Sequence, residues 1–182
     1  FNKLKSLGIS CNINAFGIEL NTNGEQIISS TQIRKALERG EPEKARAMLG
    51  YWHQICGKVV RGAQRGHELG FPTANINLEG ILIPRFGVYS CIVEILSGKL
   101  AGSYKGAASI GKKPTFGDNE ANLEVNLFDF SNEIYGTEIS ISLINFQRPE
   151  EKFETIESLI KQMQLDCEQA SANLSSFSLS KS

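Results

Sequence analysis

The chain has 182 residues, of which 41% are hydrophobic and 21% are charged, a composition typical of a globular protein. Its 19 basic and 20 acidic side chains give a formal net charge of −1, which argues against a general nucleic-acid or membrane-surface binder, because such proteins carry an excess of Lys and Arg. A chain of this length can bury a substantial core without stabilising disulfides or metal ions, but it is too short for two complete large domains.

The cysteines and the apolar runs indicate a cytoplasmic protein. No Cys-x-x-Cys pair occurs and no histidine stands near enough to complete a zinc site, so we expect free thiols in a reducing compartment. No apolar run approaches the roughly 20 residues of a membrane span, and the first residues lack the apolar core of a signal peptide. The chain begins with Phe1, and we expect it to be a piece of a longer protein.

The N-terminal quarter predicts a partial α/β segment. Residues 11–20 partly alternate apolar with polar side chains, which predicts a strand. Residues 29–31 offer hydroxyl N-caps to a helix that Gly40 ends. A second short helix follows, with Pro42 in its first turn and Gly50 at its end.

From Trp52 onward the pattern changes to short runs rich in Val, Ile, Phe and Tyr, separated by glycine-bearing turns. These runs are too close together for helical crossovers, so we predict antiparallel strands that close into a barrel or a sandwich. The runs lie at 54–61, 86–97, 100–110, 122–130 and 137–146.

The last predicted element is a helix with Thr155 as its N-cap. Its apolar side chains recur at three or four residues and end in a polar, serine-rich tail, 171–182, that we expect to fray. The apolar stripe consists of Ile156, Leu159, Ile160, Met163 and Cys167.

The stretch 57–75 holds four glycines and three cations. Glycine lets backbone amides approach an anion, so a cradle for polyphosphate is one interpretation. The other is a glycine-rich hairpin with a solvated basic rim. The glycine count alone favours the hairpin, because the spacing matches neither a Walker loop nor a dinucleotide fingerprint.

Residues 72–75 change that balance. Pro72 holds the chain extended, so the Thr73 hydroxyl and the Asn75 amide oxygen project to the same side. Two neutral oxygens suit a magnesium ion that already carries phosphate ligands. The alternative is a common Asn-capped turn.

Residues 122–128 form a predicted strand with Leu123, Val125 and Leu127 on one face and Glu124 on the other. If the second face lines a site, Glu124 is able to accept a proton from an alcohol that attacks phosphorus. If it faces water, Glu124 is an exposed carboxylate without a function. Periodicity does not choose between the two.

Two further segments leave two interpretations each. Tyr135 is able to stack on an adenine, although an aromatic residue followed by glycine at a strand entry more often packs. Residues 148–153 suit either a mobile flap that clamps a ligand or a charged connector before a helix, the commoner case.

Together these motifs resemble the riboflavin kinase module of bacterial bifunctional riboflavin kinase/FAD synthetases, from about residue 51 to residue 174. The resemblance implies a small antiparallel Greek-key β-barrel with a C-terminal helix, which transfers the γ-phosphate of ATP to the 5′-hydroxyl of riboflavin and gives FMN. The matching motifs are Gly-Phe-Pro-Thr-Ala-Asn (70–75), Gly-Val-Tyr (87–89), Ser-Ile-Gly-Lys-Lys-Pro-Thr-Phe (109–116), Leu-Glu-Val-Asn-Leu-Phe-Asp-Phe (123–130), Tyr-Gly (135–136) and Arg-Pro-Glu-Glu-Lys-Phe (148–153).

The resemblance also implies roles for single residues. Thr73 and Asn75 would hold the magnesium that accompanies ATP, and Glu124 would be the catalytic base. Asn126 departs from the family pattern, where a histidine is expected in many relatives, so its role is open. The ATP-binding residues would be Gly62, His67, Pro72, Thr73, Asn75, Leu127, Phe128 and Tyr135, and the flavin-binding residues would be Arg148, Glu151 and Phe153.

Residues 28–34 resemble the late nucleotide-binding motif of the FMN adenylyltransferase module that precedes the kinase in the bifunctional proteins. The early histidine-containing motif of that module is absent from this sequence, so we expect no FAD synthesis from it alone. We therefore divide the chain into an adenylyltransferase remnant, 1–48, and a kinase domain, 49–182, with a covalently linked adenylyltransferase in the full-length parent. The remnant motif consists of Ser29, Ser30, Thr31 and Arg34.

The partners implied are thus small molecules, ATP and riboflavin, with no nucleic acid and no membrane. The main alternative is a non-catalytic flavin-binding β-barrel that keeps the fold and the flap. A third interpretation is an oligonucleotide-binding barrel, since small Greek-key barrels serve that role. The near-neutral charge and the Thr73–Asn75 oxygen pair count against it.

Overall fold

The computed structural model describes residues 2–17, 22–23, 26–62, 66, 69–112 and 121–179. The helices are α1 (Asn2–Ser10), α2 (Ser30–Glu38), α3 (Pro42–Leu49) and α4 (Ile156–Asn173). The strands are β1 (Thr22–Asn23), β2 (Gln26–Ile27), β3 (Gln54–Lys58), β4 (Ala74–Asn77), β5 (Gly87–Ile95), β6 (Gly102–Lys112), β7 (Ala121–Leu127) and β8 (Glu138–Arg148). No helix in this described part is long and apolar enough to cross a membrane.

The two predicted N-terminal helices are confirmed, together with their caps. The Ser29 hydroxyl accepts a hydrogen bond from the Gln32 amide at 3.3 Å and so begins α2. Pro42 begins α3, and Gly50 ends it in the left-handed region at φ 84°, which costs a glycine little. The apolar faces of α2 and α3 meet in a small cluster of Ile33, Ala36, Leu37, Ala45, Met48 and Leu82.

The predicted strand at 11–20 is wrong over its described part. Residues 11–17 belong to no strand, and Ile13 and Phe16 are exposed. Alternation alone does not make a strand, because its backbone groups need a partner strand. Residues 18–20 lie outside the described ranges.

The centre of the molecule is a six-stranded antiparallel sheet with the strand order β3-β8-β5-β6-β7-β4. Strands β5, β6 and β7 follow one another as neighbours, and β8 returns to lie beside β5, which is Greek-key connectivity. A bridge between Val60 and Asn75 joins the two edges, where the Val60 amide donates to the Asn75 carbonyl at 2.9 Å. The sheet is therefore a nearly closed barrel, and the predicted fold class is confirmed.

Alternation along the strands fills the barrel interior with branched side chains. In β7, Leu123 and Val125 are fully buried, whereas Glu124 and Asn126 are half-buried on the opposite face. The predicted alternation is thus confirmed, and the face that carries Leu123 and Val125 belongs to the core. Strand β4 was predicted only as an extended segment, because the proline before it made the sequence resemble a loop rather than a strand.

Helix α4 begins at the predicted cap, where the Thr155 hydroxyl accepts from the Ser158 amide at 3.2 Å. Two predictions about this helix are wrong. Ile156 is 62% exposed, and Leu174, within the tail expected to fray, is fully buried. The helix runs to Asn173, whose side-chain amide still contacts the barrel by donating to the Ser90 hydroxyl at 3.0 Å.

Candidate active site

Three of the predicted site residues lie together on the outer face of the barrel. Asn75 in β4 stands directly opposite Glu124 in β7, and cross-strand neighbours share a face. Thr73 precedes β4, and its hydroxyl donates to Glu124 Oε2 at 3.4 Å. A carboxylate and a hydroxyl thus lie at hydrogen-bonding distance, and the residue that carries a side-chain amide stands opposite the carboxylate residue on the neighbouring strand.

Asn122 links two of these groups, and the sequence reasoning missed it. Its Nδ2 donates to Asn75 Oδ1 at 2.9 Å and to Glu124 Oε1 at 3.3 Å. Asn122 is buried, and its own Oδ1 has no hydrogen-bond partner among the described residues. The sequence did contain a signal for it. Asn122 stands two residues before Glu124 in the same strand, so both side chains lie on the same face.

Two glycines let the neighbouring loop approach this cluster. A Cβ atom at Gly62 would lie 2.5 Å from the Asn75 side-chain amide. A Cβ atom at Gly66 would lie 2.5 Å from the Phe71 carbonyl oxygen and 3.4 Å from Thr73 Oγ1. Backbone therefore covers the cluster where a side chain would not fit. His67, predicted for the same loop, lies outside the described residues.

A cavity of about 290 Å³ opens between the barrel and α4, and we call it the barrel–helix cavity. Glu124 and Thr73 stand on its wall together with the three predicted flap residues, Arg148, Glu151 and Phe153. Its remaining wall is largely apolar, as is usual for a small-molecule site. The apolar lining includes Leu69, Phe71, Val88, Ala107, Ala108, Leu159 and Met163.

A second cavity, of about 280 Å³, lies at the barrel rim, and we call it the rim cavity. Thr73 lines both cavities. Phe128 lines neither of them. Strand β7 ends at Leu127, and Asp129 takes a positive φ of 54° that turns the chain. The rim cavity is lined by Val59, Pro72, Thr73, Ala74, Leu127, Phe130, Ser131, Asn132, Glu133, Ile134 and Tyr135.

Arg148 is the most strongly held charge of the barrel–helix cavity. Its Nε and Nη2 donate to the two carboxylate oxygens of Asp166 at 2.8 and 2.7 Å. These hydrogen bonds raise the pKa of the Arg148 guanidinium above its ordinary value. Asp166 was missed because it stands in α4, near Arg148 only in three dimensions. Its sequence signal was an acidic residue between Met163 and Ala170 on the packed helix face.

Asn126, the departure from the family pattern, anchors the loop before β4. Its Nδ2 donates to the Pro72 carbonyl at 2.8 Å, and the Cys167 thiol approaches its Oδ1 at 3.9 Å. Burial raises the pKa of Cys167 to about 11, with smaller contributions from Asp166 and Glu168.

The donor set fits a magnesium ion that brings phosphate oxygens with it. In the part of the chain that the structure describes, no group of three or more His, Cys, Asp or Glu side chains is arranged to hold a metal. Thr73 Oγ1 and Asn75 Oδ1 are neutral oxygens on one face, and Asn75 Oδ1 keeps a second lone pair beyond its bond from Asn122. One or two such protein groups suffice for magnesium bound with phosphate.

The remnant motif lies apart from these cavities. Ser29 caps α2, and Ser30, Thr31 and Arg34 are exposed on that helix. None of the four lines the barrel–helix cavity or the rim cavity.

Comparison with known proteins agrees with this architecture. A bifunctional riboflavin kinase/FMN adenylyltransferase from Listeria monocytogenes is 43% identical over 151 residues, covering 82% of this chain and 47% of that protein. The protein of the same name from Bacillus subtilis is 40% identical over 157 residues, covering 84% and 48%. The chain thus spans about half the length of the curated relatives it matches.

A crystal structure described as a macrolide-efflux protein from Streptococcus pneumoniae is also similar, with a TM-score of 0.77 and 34% identity. The likeness covers 93% of this chain and 54% of that one, so it includes part of the segment before the barrel. The family model for riboflavin kinase, Flavokinase, matches residues 49–174. With a family match over the whole barrel and α4, and relatives of this identity, the chain belongs to the riboflavin kinase family.

Proposed function

We propose that this chain is a magnesium-dependent riboflavin kinase, which transfers the γ-phosphate of ATP to the 5′-hydroxyl of riboflavin. The observation that carries the proposal is the position of Thr73. It lines both cavities, and its hydroxyl lies 3.4 Å from the Glu124 carboxylate. A two-substrate reaction needs this arrangement, with one pocket for each substrate and the reacting groups between them.

The barrel–helix cavity suits riboflavin. Its apolar wall, with Phe71, Leu159 and Met163, offers contact area to the isoalloxazine ring, while Arg148 and Glu151 offer polar partners at the flap side. Glu124 then faces the ribityl chain. Its carboxylate accepts the proton of the 5′-hydroxyl as that oxygen bonds to the γ-phosphorus, the bond from phosphorus to the β,γ-bridging oxygen breaks, and ADP leaves.

The rim cavity suits the nucleotide. Leu127 and Tyr135 provide apolar surface for the adenosine, and Gly62, without a side chain, lets the backbone lie close to the Asn75 side chain beside this cavity. Thr73 and Asn75 would hold the magnesium ion, which neutralises charge on the transferring phosphoryl group. The protein itself mainly positions the reactants and excludes water.

For the N-terminal region we propose the division made from the sequence, with residues 1–48 as the end of an adenylyltransferase module and residues 49–182 as the kinase. The relatives named as bifunctional and the family match beginning at residue 49 support it. The apolar cluster between α2 and α3 is separate from the barrel core, and Leu82 of the kinase part packs against it. The linked adenylyltransferase then belongs to a longer parent protein.

The direct test is a product assay. The purified protein is incubated with riboflavin, ATP and MgCl2, and the flavins are separated by chromatography. We expect FMN and an equal amount of ADP, and no FMN when ATP is omitted or magnesium is chelated. Riboflavin that binds without any FMN formation would instead support the non-catalytic flavin-binding barrel.

The first variant to test is Glu124→Gln, which keeps the shape of the side chain and removes the base. We expect the turnover rate to fall by about a hundredfold to ten-thousandfold, while binding of ATP, measured by calorimetry, persists. Glu138→Gln, an exposed carboxylate at the start of β8, is the matched control and keeps wild-type turnover. FMN formation by Glu124→Gln at the wild-type rate would remove Glu124 from the mechanism.

A further inference from the structure

The ion pair between Arg148 and Asp166 joins the end of β8 to the middle of α4. Asp166 is buried, and both of its oxygens are engaged by Arg148. Gln162, one turn earlier in α4, also donates to Asp166 Oδ1 at 3.0 Å. The carboxylate is therefore held by α4 and in turn fixes the plane of the guanidinium, since a bidentate pair sets orientation as well as distance.

Among the described residues, the other polar and ring contacts given for the Arg148 guanidinium go to the segment 149–155, which we call the connector. Its Nη1 donates to the Pro149 carbonyl at 3.0 Å and lies 3.9 Å from the Glu151 carboxylate. Its guanidinium carbon lies 5.8 Å from the centre of the Phe153 ring, within the range of a cation–π contact. Arg148 thus connects Asp166 on one side with the cavity-lining part of the connector on the other.

Without a carboxylate at position 166, we expect the Arg148 guanidinium to lose its present orientation. The Arg148 side chain is only 18% exposed, so a guanidinium that loses its main acceptor must find another. The other carboxylate that forms an ion pair with it is that of Glu151, which is 52% exposed on the connector. A stronger pair with Glu151 would draw the connector, together with Phe153, away from its present place on the cavity wall.

We propose that Asp166 is a positioning residue for the flavin side of the site, acting through Arg148 on the connector. The inference rests on the proposed function, because it assigns riboflavin to the barrel–helix cavity. It predicts an asymmetric effect. The rim cavity is lined by residues 59, 72–74, 127 and 130–135, none of which belongs to this chain of contacts, so the nucleotide side stays in place.

The kinetic test compares Asp166→Asn with Glu168→Gln. Glu168 is exposed on α4 and bonds to Gln164 rather than to Arg148, so it is a matched removal of one charge from the same helix. We expect the KM for riboflavin to rise about tenfold in Asp166→Asn, with the KM for ATP and the kcat within twofold of wild type. Glu168→Gln keeps all three values. Asp166→Glu, which retains a carboxylate, recovers part of the riboflavin KM.

A ligand-free measurement separates this inference from the proposed function. Amide hydrogen exchange in the connector is expected to accelerate in Asp166→Asn and to stay unchanged in Glu168→Gln, with no substrate present. If wild-type protein makes no FMN while this exchange pattern appears, the proposed function fails and the positioning role stands.

Two results would overturn the positioning role. One is unchanged connector exchange in Asp166→Asn. The other is an equal rise of the KM values for riboflavin and ATP that follows a drop in melting temperature, which Asp166→Glu does not repair. That pattern would make Asp166 a general stabilising residue only.

Discussion

Thr73 is the residue at which the two cavities meet, and the proposed magnesium binding depends on its hydroxyl. We expect Thr73→Ala to raise the magnesium concentration for half-maximal FMN formation by about tenfold, because one of two protein oxygens is lost. Thr73→Ser keeps the hydroxyl and is the control. The magnesium dependence is measured at fixed ATP. A titration in which Thr73→Ala follows the wild-type curve would refute the ligand role.

Asn75 has a second role beside the proposed metal site, because its side-chain oxygen also accepts a hydrogen bond from Asn122. Asn75→Ala is expected to weaken magnesium use as Thr73→Ala does and, in addition, to lower the free energy of unfolding, since buried Asn122 loses a partner. The two variants together therefore separate metal binding from the hydrogen-bond network.

Cys167 reports on the barrel–helix cavity, which it lines. Its pKa is raised from 9.0 to about 11, which lowers the thiolate fraction at pH 8 about a hundredfold. A thiolate of higher pKa is about tenfold more nucleophilic, which compensates for part of this loss. We expect iodoacetamide to label Cys167 about tenfold more slowly than a thiol of ordinary pKa. The rate rises with pH until about pH 11. Labelling of each cysteine is followed by peptide mass spectrometry.

Riboflavin should slow the labelling of Cys167 further, because the proposed ligand occupies the cavity. Exposed Cys11 is the internal control, and its labelling rate should not depend on riboflavin. Equal labelling of Cys167 with and without saturating riboflavin would place the flavin elsewhere.

At the scale of elements, helix ends were the most predictable feature. Ser29, Gly50 and Thr155 act locally, within a few residues of the helix end, and each stands where its cap was predicted. The alternation in β7 likewise placed Glu124 correctly, because the period of a strand is fixed. What faces Glu124 could not be predicted in this way. The pairing of β4 with β7 brings Asn75 opposite it, and pairing partners distant in sequence leave no local pattern.

The cap of α4 supplies an element-scale prediction. Thr155→Ala is expected to lower the free energy of unfolding by about 1 kcal/mol, because the Ser158 amide loses its acceptor. Urea unfolding measures the change, with Ser171→Ala at an exposed position of the same helix as the control. Asp166 lies three turns further on, so the KM for riboflavin should hardly change. A large rise in that KM would mean that the first turn of α4 also positions the cavity.

At the scale of the whole molecule, residues 2–17 contribute little burial. None of the side chains in 2–17 is buried. Deletion of residues 1–17 is therefore expected to change the free energy of unfolding by less than about 0.5 kcal/mol and to leave FMN formation intact. Deletion of residues 1–50, which removes α2 and α3 from their contacts with Leu82 and β8, should destabilise the barrel. A loss of FMN formation in the shorter deletion would contradict the proposed assignment of the kinase activity to residues 49–182.

The bridge between Val60 and Asn75 gives the last consequence. The backbone of Asn75 closes the barrel at its seam, while its side chain faces Thr73 and Glu124. We expect a nearly closed barrel to open first at this seam, because in the described part of the chain one bridge joins its two edges. Heat or urea that opens this seam would therefore displace Asn75, the proposed metal ligand. We expect activity to be lost before the barrel core unfolds. A bound nucleotide would then stabilise the closed barrel.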